Sequence, residues 1–488
     1  MANAVNAKSS QKNVFHVLFA LAIWLIFKFL VPAPAPITAD GIEIIGIFIM
    51  ALYLWIFVGT GWTSILTVCL LGMTKYMTPA QAIKGSFGDW MFSFLMGCMM
   101  VNAVLSETGL SRRIAVWFIT RKFTKGRPYL IISMFFTAMF ALGLFMTSSA
   151  TCVMFLALAK EILDTCGYDR KERFSQFLFC CIAWITIAGN GMTAIGHGNF
   201  ITGMGWVSEA FGIKISIAQS AIIGCSIGIV WIVLLVLIMK IIYKMDASRL
   251  VNLDMDELKS SMTKMSKAEK FAGGCFAAVV LCWVAGDITQ PIPLLYNTIG
   301  AFCSGLGSAI PILLCVCVLC VVPVDGKPLM NFNTMTKKIA WQSCMMIGTV
   351  RLLGTVFADE KLGITAWMQS VFGPVVQGMP AALFVVVCIG IALLATNFVS
   401  NSIAMVLFKV AAPLTLLIPG VNGPALGVVM ICAIHYAMWT PGCTTTTSFV
   451  CGSGDVEGSF MVRYGWVPMI AAFIALVTVG YSVACLVF

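Results

Sequence analysis

One phrase occurs twice in this chain, each time where an apolar segment begins: FMTSSATCVMF at Phe145 to Phe155 and FVSNSIAMVLF at Phe398 to Phe408. Each copy opens with three consecutive hydroxyl or amide side chains, Thr147-Ser148-Ser149 and Ser400-Asn401-Ser402, on a segment too short to cross a bilayer comfortably. Paired polar tips of this kind belong to carriers built from internal repeats. Apolar residues make up 60% of the 488 and charged residues 10%, with a mean hydropathy of +0.98, which makes the chain an all-α polytopic membrane protein. A hydrocarbon core of ~30 Å takes ~20 apolar residues per helix, and many such runs follow one another here. No stretch remains for a water-soluble domain of any size. The first run, His16 to Val31, is followed by PAPAP and lacks a small-residue cleavage pattern, so it reads as a retained first helix.

The nineteen cysteines lie mostly singly in apolar runs, as Cys69, Cys98, Cys152, Cys225 and Cys388 do, and read as reduced core residues. Cys180-Cys181 and the group Cys315, Cys317 and Cys320 lie in apolar runs too, and three histidines in the whole chain give no zinc-ligand pattern. The net charge of +10 reflects topology rather than nucleic-acid binding. Arg112, Arg113, Arg121, Lys122, Lys125 and Arg127 fall within Ser111 to Arg127 with no acid among them, and Lys8 and Lys12 mark the N-terminus. Both stretches are expected on the cytoplasmic side of a plasma (inner) membrane. Four spans between them, at about 16–31, 43–58, 62–76 and 90–106, return the chain to that side.

From Tyr129 the chain re-enters the membrane, and a hairpin is favoured because the polar tip at Thr147 would otherwise face bulk water. A broken helix runs from Phe174 to about Trp206, interrupted by GNGMTAIGHGN at Gly189 to Asn199. Unwound backbone at membrane depth is tolerated only where it lines a cavity. A span from Ile215 to Tyr243 closes this half. The second half repeats the order: spans at about 271–286, 300–322 and 340–357, a hairpin from Ala381 to Ile418, a broken helix from Ala425 to about Val450 interrupted by WTPGCTTTTS at Trp439 to Ser448, and a last span to Phe488. The expected units are an N-terminal helix and flank (1–40), a first repeat (41–244), a cytoplasmic linker (245–270) and a second, inverted repeat (271–488). The spacing agrees: Thr147 lies 46 residues before Thr193, and Ser400 lies 44 before Thr444. One tip and one unwound segment per half would meet near the midplane. Helix N-termini there, each worth roughly half a positive charge, and the donors Ser148, Ser149, Asn401 and Ser402 favour an anion, while unwound carbonyls suit a small cation such as sodium.

These features resemble the divalent anion/sodium symporter family, carriers of dicarboxylates, citrate or sulfate, over nearly the whole chain. That family has a Ser-Asn-Thr motif at each of two hairpin tips, where this sequence has Thr147-Ser148-Ser149 and Ser400-Asn401-Ser402. Its Thr-Pro-Pro-Asn segment falls, counting back from Gly452-Ser453-Gly454, on Thr444-Thr445-Thr446-Thr447, and LSETGLSRRIA at Leu105 to Ala115 resembles a further family segment. The resemblance implies a homodimeric elevator carrier of about eleven helices, N-terminus inside and C-terminus outside, with no cofactor beyond coupling sodium ions. It implies one sodium near Ser148 and the carbonyls around Gly191 and Gly196, another near Asn401, Cys443 and Thr444, and a substrate touching both tips, with Thr445 and His197 beside them. The sequence departs from the family at Ser148, at Thr445 and Thr446, and at His197-Gly198. A sodium-independent exchanger, or a carrier of a sulfonate or monocarboxylate, is the alternative.

Single residues divide between chemistry and packing. His197, four residues after Thr193, can donate to an anion or cap a helix; His435, roughly 13 Å from Thr444 along an intact helix, reads as packed. Lys409 reads as a snorkelling cation near the outer mouth, Arg351 as paired with Asp359 or Glu360, and Asn397 as a tip residue or a cap. Thr444 to Thr447, four hydroxyls in a row at depth, require partners. A channel would need a continuous polar lining and an enzyme a nucleophile with its base, and the sequence offers neither.

Overall fold

The computed structural model describes residues 2–193, 195–260, 262 and 264–488; the side chains of residues 2–12, Lys8 and Lys12 among them, and of 257, 287 and 403 lie outside that description. Ahead of the first tip come α1 (Ala2–Phe29), α2 (Ala39–Phe57), α3 (Gly61–Gly72), α4 (Pro79–Ser86), α5 (Trp90–Glu107) and α6 (Leu110–Ile119). The tip joins α7 (Pro128–Gly143) to α8 (Ser148–Thr165); a broken helix follows as α9 (Arg173–Asn190) and α10 (Gly198–Phe211), then α11 (Ile217–Leu237). The connection carries the short α12 (Met255–Ser260). The second half holds α13 (Lys267–Thr289), α14 (Pro293–Leu295), α15 (Ala301–Gly305), α16 (Ala309–Val321), α17 (Phe332–Thr336), α18 (Trp341–Ala358) and α19 (Ile364–Val376). Its tip lies between α20 (Ala381–Ala395) and α21 (Asn401–Ala404) with α22 (Leu407–Thr415). The second broken helix is α23 (Gly423–Ala433) and α24 (Thr445–Gly452), and α25 (Gly458–Ala475) and α26 (Tyr481–Val487) end the chain. Among the described residues the strands are β1 (Pro323–Val324) and β2 (Lys327–Pro328), one small antiparallel pair.

Among the described residues five helices are long and apolar enough to cross a membrane, or up to seven if each of two bent pairs counts as one span. The bent pairs are Pro293–Gly305 with Ala309–Val321, at 77°, and Ile364–Val376 with Ala381–Ala395, at 114°. Of the shorter apolar helices, Pro128–Gly143 stops at a tip and Gly423–Ala433 at an unwound segment. The chain is thus an all-α polytopic membrane protein, and the order of long helix, connecting helix, tip, broken helix and closing helix recurs in both halves. The sequence reading passed over α6 and α19, which lie in matching places, before α7 and before α20. Both are short: α6 is amphipathic and opens after Gly109 at φ 84°, α19 after Gly363 at φ 68°. A left-handed glycine at each start turns the chain where a continuous apolar run gives no such signal.

Local chemistry sets the other ends. Thr78 with Gln81, Ser216 with Gln219 and Ser266 with Glu269 form capping boxes that start α4, α11 and α13. Pro128 and Pro79 occupy first turns, where a missing N–H costs nothing. The second interruption falls earlier than the sequence placed it: α23 stops at Ala433, residues 434–444 are unwound, and Thr445 to Thr447 are already helical. Its amides at Met438 and Trp439 are met by the Asn397 side chain from the neighbouring tip. All nineteen cysteines are free thiols.

Packing seats the two broken helices side by side. Helix α9 lies against α7, α8 and α24, and α10 lies against α18, α22 and α23. Helix α11 meets α7 at a glycine: a Cβ on Gly228 would fall 1.9 Å from the Phe140 ring, itself 4% exposed. Gly228→Ala is therefore expected to lower the melting temperature of the detergent-solubilised protein, equivalent to about 1–3 kcal/mol of overpacking. An unchanged melting temperature would contradict this close approach.

Candidate functional site

Unwound backbone inside a membrane protein needs partners for its N–H and C=O groups, and here two asparagines supply them. Asn397, wholly buried at the end of the α20 arm, accepts from the N–H groups of Met438 and Trp439 at 2.9 and 2.8 Å through Oδ1 and donates from Nδ2 to the Leu393 carbonyl. Its own carbonyl accepts from Thr440 Oγ1. The adjacent Thr396 hydroxyl lies 2.6 Å from the Ile434 carbonyl and 2.8 Å from Asn401 Oδ1. The second tip and the second unwound segment are thereby one rigid unit. Asn397 is thus neither a lining residue of the tip nor a cap on its own arm alone.

In the first half the roles reverse, and the unwound segment clamps the tip. Asn190 Nδ2 faces the carbonyls of Met146, Gly196 and Gly143, at 2.5, 2.5 and 3.4 Å, while Thr193 Oγ1 donates to the Leu144 carbonyl. Three acceptors crowd a nitrogen with two protons, and Asn190 Oδ1 is buried with no hydrogen-bond partner. Gly196 requires the absence of a side chain, since a Cβ would lie 2.5 Å from the Asn190 carbonyl oxygen.

Between the units lies a cavity of about 860 Å³. Of the sequence-predicted residues it gathers His197, Ser400, Asn401, Ser402, Cys443, Thr444 and Thr445 on its wall, so the second tip meets both unwound segments. Thr147, Ser148 and Ser149 do not line it: α8 begins at Ser148, Ser148 is buried, and the turn itself is residues 144–147. Gly191 also lies off the cavity, packed so that a Cβ would fall 1.9 Å from the His435 ring.

Each lining side chain has a defined hydrogen-bond state. His197 caps α10, its Nδ1 accepting from the Asn199 N–H at 3.1 Å, which assigns the neutral tautomer with the proton on Nε2. Ser402 Oγ donates to Asn199 Oδ1 at 3.1 Å, joining the second tip to the first broken helix across the cavity. Thr444 and Thr447 form a capping box that starts α24, and Thr446 donates to the Ala183 carbonyl of α9. Those bonds answer the demand of the threonine run and leave Thr445, with Ser448, exposed to the cavity. Cys443 Sγ lies 3.5 Å from Thr447 Oγ1.

His435 is packed, as its sequence reading has it, but on other geometry, while Lys409 and Arg351 differ from theirs. Helix α23 is not intact up to Thr444, so the 13 Å separation of His435 does not apply: His435 packs edge-on against His197 with ring centroids 5.0 Å apart, its Nδ1 donating to the Ile431 carbonyl. Lys409 does not snorkel outward; its Nζ lies over the Trp206 ring and donates to the Gly354 carbonyl. Arg351 pairs with Asp89 and Glu209, not with Asp359 or Glu360. Sequence reasoning missed Asn190, Asn199 and Ser448. Asn199 carries a usable signal, because it stands in the first turn after a glycine-rich interruption.

The arrangement is a pocket of neutral donors with the first turns of α10 and α24 at its wall and no acidic side chain on it, which suits an anion. The sequence pattern of the citrate transporter family matches residues 44–433. The sodium-dependent dicarboxylate transporter SdcS of Staphylococcus aureus strain USA300 is 24% identical over 466 residues, covering 89% of this chain and 86% of SdcS. SdcS of strain bovine RF122 / ET3-1 matches to the same extent.

Replacing Asn397 with alanine would strand the Met438 and Trp439 amides. That variant is expected to lose about 1–3 kcal/mol of stability per stranded group, read as a lower melting temperature. Asn397→Ala melting with the parent protein would refute the clamp.

Proposed function

Because the chain belongs to the citrate transporter family, we propose that it is a secondary active carrier of a small organic anion, a di- or tricarboxylate, coupled to sodium. The observation that carries this reading is the Ser402–Asn199 hydrogen bond across a cavity walled by Asn401, His197 and Thr445. One carboxylate would take donors from the second tip, from Asn199 Nδ2 and from His197 Nε2–H. The free amides at the starts of α10 and α24 would add a partial positive field. Neutral donors bind an anion without trapping it, which a carrier needs if it is to release its cargo.

Sodium finds a fitting oxygen set at the first tip. With its amide turned, Asn190 would offer Oδ1 alongside the carbonyls of Met146, Gly196 and Gly143, an all-oxygen cluster suited to a hard cation. The buried, unpartnered Oδ1 supports this reading. Ser148 and Gly191 adjoin the cluster in sequence, and Asn401 with Cys443 would border a second ion. A cation beside the site would offset the charge of a dianion.

The recurring element order supports a pair of inverted repeats, 41–244 and 271–488, joined through 245–270. In an elevator cycle the tips and broken helices would travel together against the remaining helices, within a homodimer whose N-terminus is cytoplasmic and C-terminus outside. SdcS is named for sodium and dicarboxylate, which guides the first substrate to try.

Uptake of labelled succinate and citrate into proteoliposomes, with an inward sodium gradient or choline in its place, tests the reading. Saturable, sodium-dependent accumulation is expected. Accumulation indifferent to sodium would remove the coupling, and its absence for both anions with folded protein would remove the substrate class. Ser402→Ala and Asn199→Ala are each expected to raise the half-saturating concentration about tenfold or more, since a hydrogen bond to a charged group contributes about 1.5–3 kcal/mol. Unchanged half-saturation in both would exclude this wall as the anion site.

A further inference from the structure

Arg351 stands mid-helix in α18, and an ionisable group at that depth needs a partner. It has two: Asp89, which caps α5, lies 3.2 Å from Nε, and Glu209 of α10 meets Nη1. Lys409 of α22 joins the group from the other side, donating to the Gly354 carbonyl at 3.1 Å. Thr355 Oγ1 donates to Glu209 at 2.9 Å, and Trp206 Nε1 to the Val350 carbonyl at 3.0 Å. Two carboxylates thus meet one guanidinium where α10 and the start of α5 reach α18, and Lys409 bonds to α18 at Gly354.

These helices have different attachments. Helix α10 begins at the cavity with His197 and Asn199, and α22 follows the Ser400-Asn401-Ser402 tip. Helix α18 packs on α3, α4 and α5 and contributes nothing to the cavity wall. Three glycines let side chains seat closely along this seam: a Cβ on Gly198 would lie 2.1 Å from Ile347 of α18, on Gly205 2.5 Å from Met91 of α5, and on Gly354 2.1 Å from the Trp206 ring nitrogen. The seam is close-packed and apolar near the cavity, and the polar bonds that cross it gather at the far end of α10. Glu209 is twelve residues beyond His197, roughly 18 Å at 1.5 Å per residue.

A second cavity, about 710 Å³, opens beside the pair and is lined by Glu209, Arg351, Lys214, Ser208 and Ser216. It carries no ligand site of its own, because its buried cation already serves two carboxylates. It does give a parted Glu209 a polar wall instead of hydrocarbon, so the pair can separate without stranding a charge.

We propose that Arg351 and Glu209 form a releasable ionic clasp that holds the α10/α22 unit against α18 and sets the transport rate from outside the anion cavity. This inference rests on the carrier reading above, in which the cavity and its helices move against α18. The pair are positioning residues: they touch no substrate, and they weight one of two positions of the unit. Losing such a contact shifts an equilibrium between positions by a factor of a few to tens.

The test measures uptake by the parent protein and by Glu209→Gln, Glu209→Asp and Lys409→Met in parallel. Glu209→Gln keeps an oxygen for Thr355 but loses the charge. It is expected to change the maximal rate about threefold or more with half-saturation and melting temperature nearly unchanged, and Glu209→Asp to restore much of the parent rate. Should Glu209→Gln fold poorly, Lys409→Met removes a seam bond and is expected to change the rate in the same direction. Parent-like kinetics in both variants, or a rate loss that follows the folded fraction alone, would overturn the clasp. If the parent protein itself shows no uptake, the carrier reading fails, and amide hydrogen exchange still judges the clasp. Faster exchange in 198–211 and 341–358 of Glu209→Gln supports it, and exchange equal to the parent overturns it.

Discussion

Everything at the centre of this molecule depends on the cost of an unpaired peptide group away from water. Two helices break at membrane depth, and each break would strand several backbone groups. Two asparagine side chains remove that cost in opposite ways. Asn397 reaches from a tip arm to the amides of an unwound segment, and Asn190 reaches from an unwound segment to the carbonyls of a tip. Donors are satisfied in one half and acceptors in the other, so the pair is complementary rather than duplicated. The Asn190 arrangement gathers three carbonyl oxygens, which is the condition for holding a cation. The Asn397 arrangement holds the second unwound segment open, so that hydroxyl, amide and imidazole groups face the cavity, which suits an anion.

Those local bonds fix the geometry of the cavity. Because α24 starts at its Thr444 cap and α10 at its His197 cap, both first turns are positioned by side chains that themselves belong to the wall. Ser402 then ties the second tip to the first broken helix, so the cavity wall draws on both halves of the chain. Helix α10 carries Glu209 near its far end and α22 carries Lys409 near its start, and both side chains bond to α18. Helix α10 thus connects the cavity wall at His197 and Asn199 with the ion pair at Glu209.

Much of this was legible in the sequence, for identifiable reasons. The duplicated phrase located the tips, glycine density located the breaks, and hydropathy gave the all-α membrane class, now joined by membership of the citrate transporter family. The second tip, His197 and Thr444 lie in the cavity because hydroxyl and imidazole groups in apolar runs have few other uses. What escaped was whatever depends on tertiary partners. The break before Thr444 begins at residue 434 because Asn397 arrives from another element, which no local pattern announces. His435 was measured along a helix that is in fact unwound. Arg351 was matched with acids near in sequence, whereas Asp89 and Glu209 lie 262 and 142 residues away in the chain. The Thr147-Ser148-Ser149 triad looked equivalent to its partner, yet only the second copy lines the cavity.

In the proposed reading one cavity, walled by both halves, holds an organic anion while a cation sits beside it at the Asn190 cluster. Thermal unfolding of the purified protein, with succinate or citrate added in sodium and again in choline, addresses it most directly, since a ligand of the native state raises the melting temperature by linkage. The account predicts a concentration-dependent rise with anion in sodium, a much smaller one in choline, and loss of the rise in Ser402→Ala. No rise with either anion in either cation, or an undiminished rise in Ser402→Ala, would contradict it.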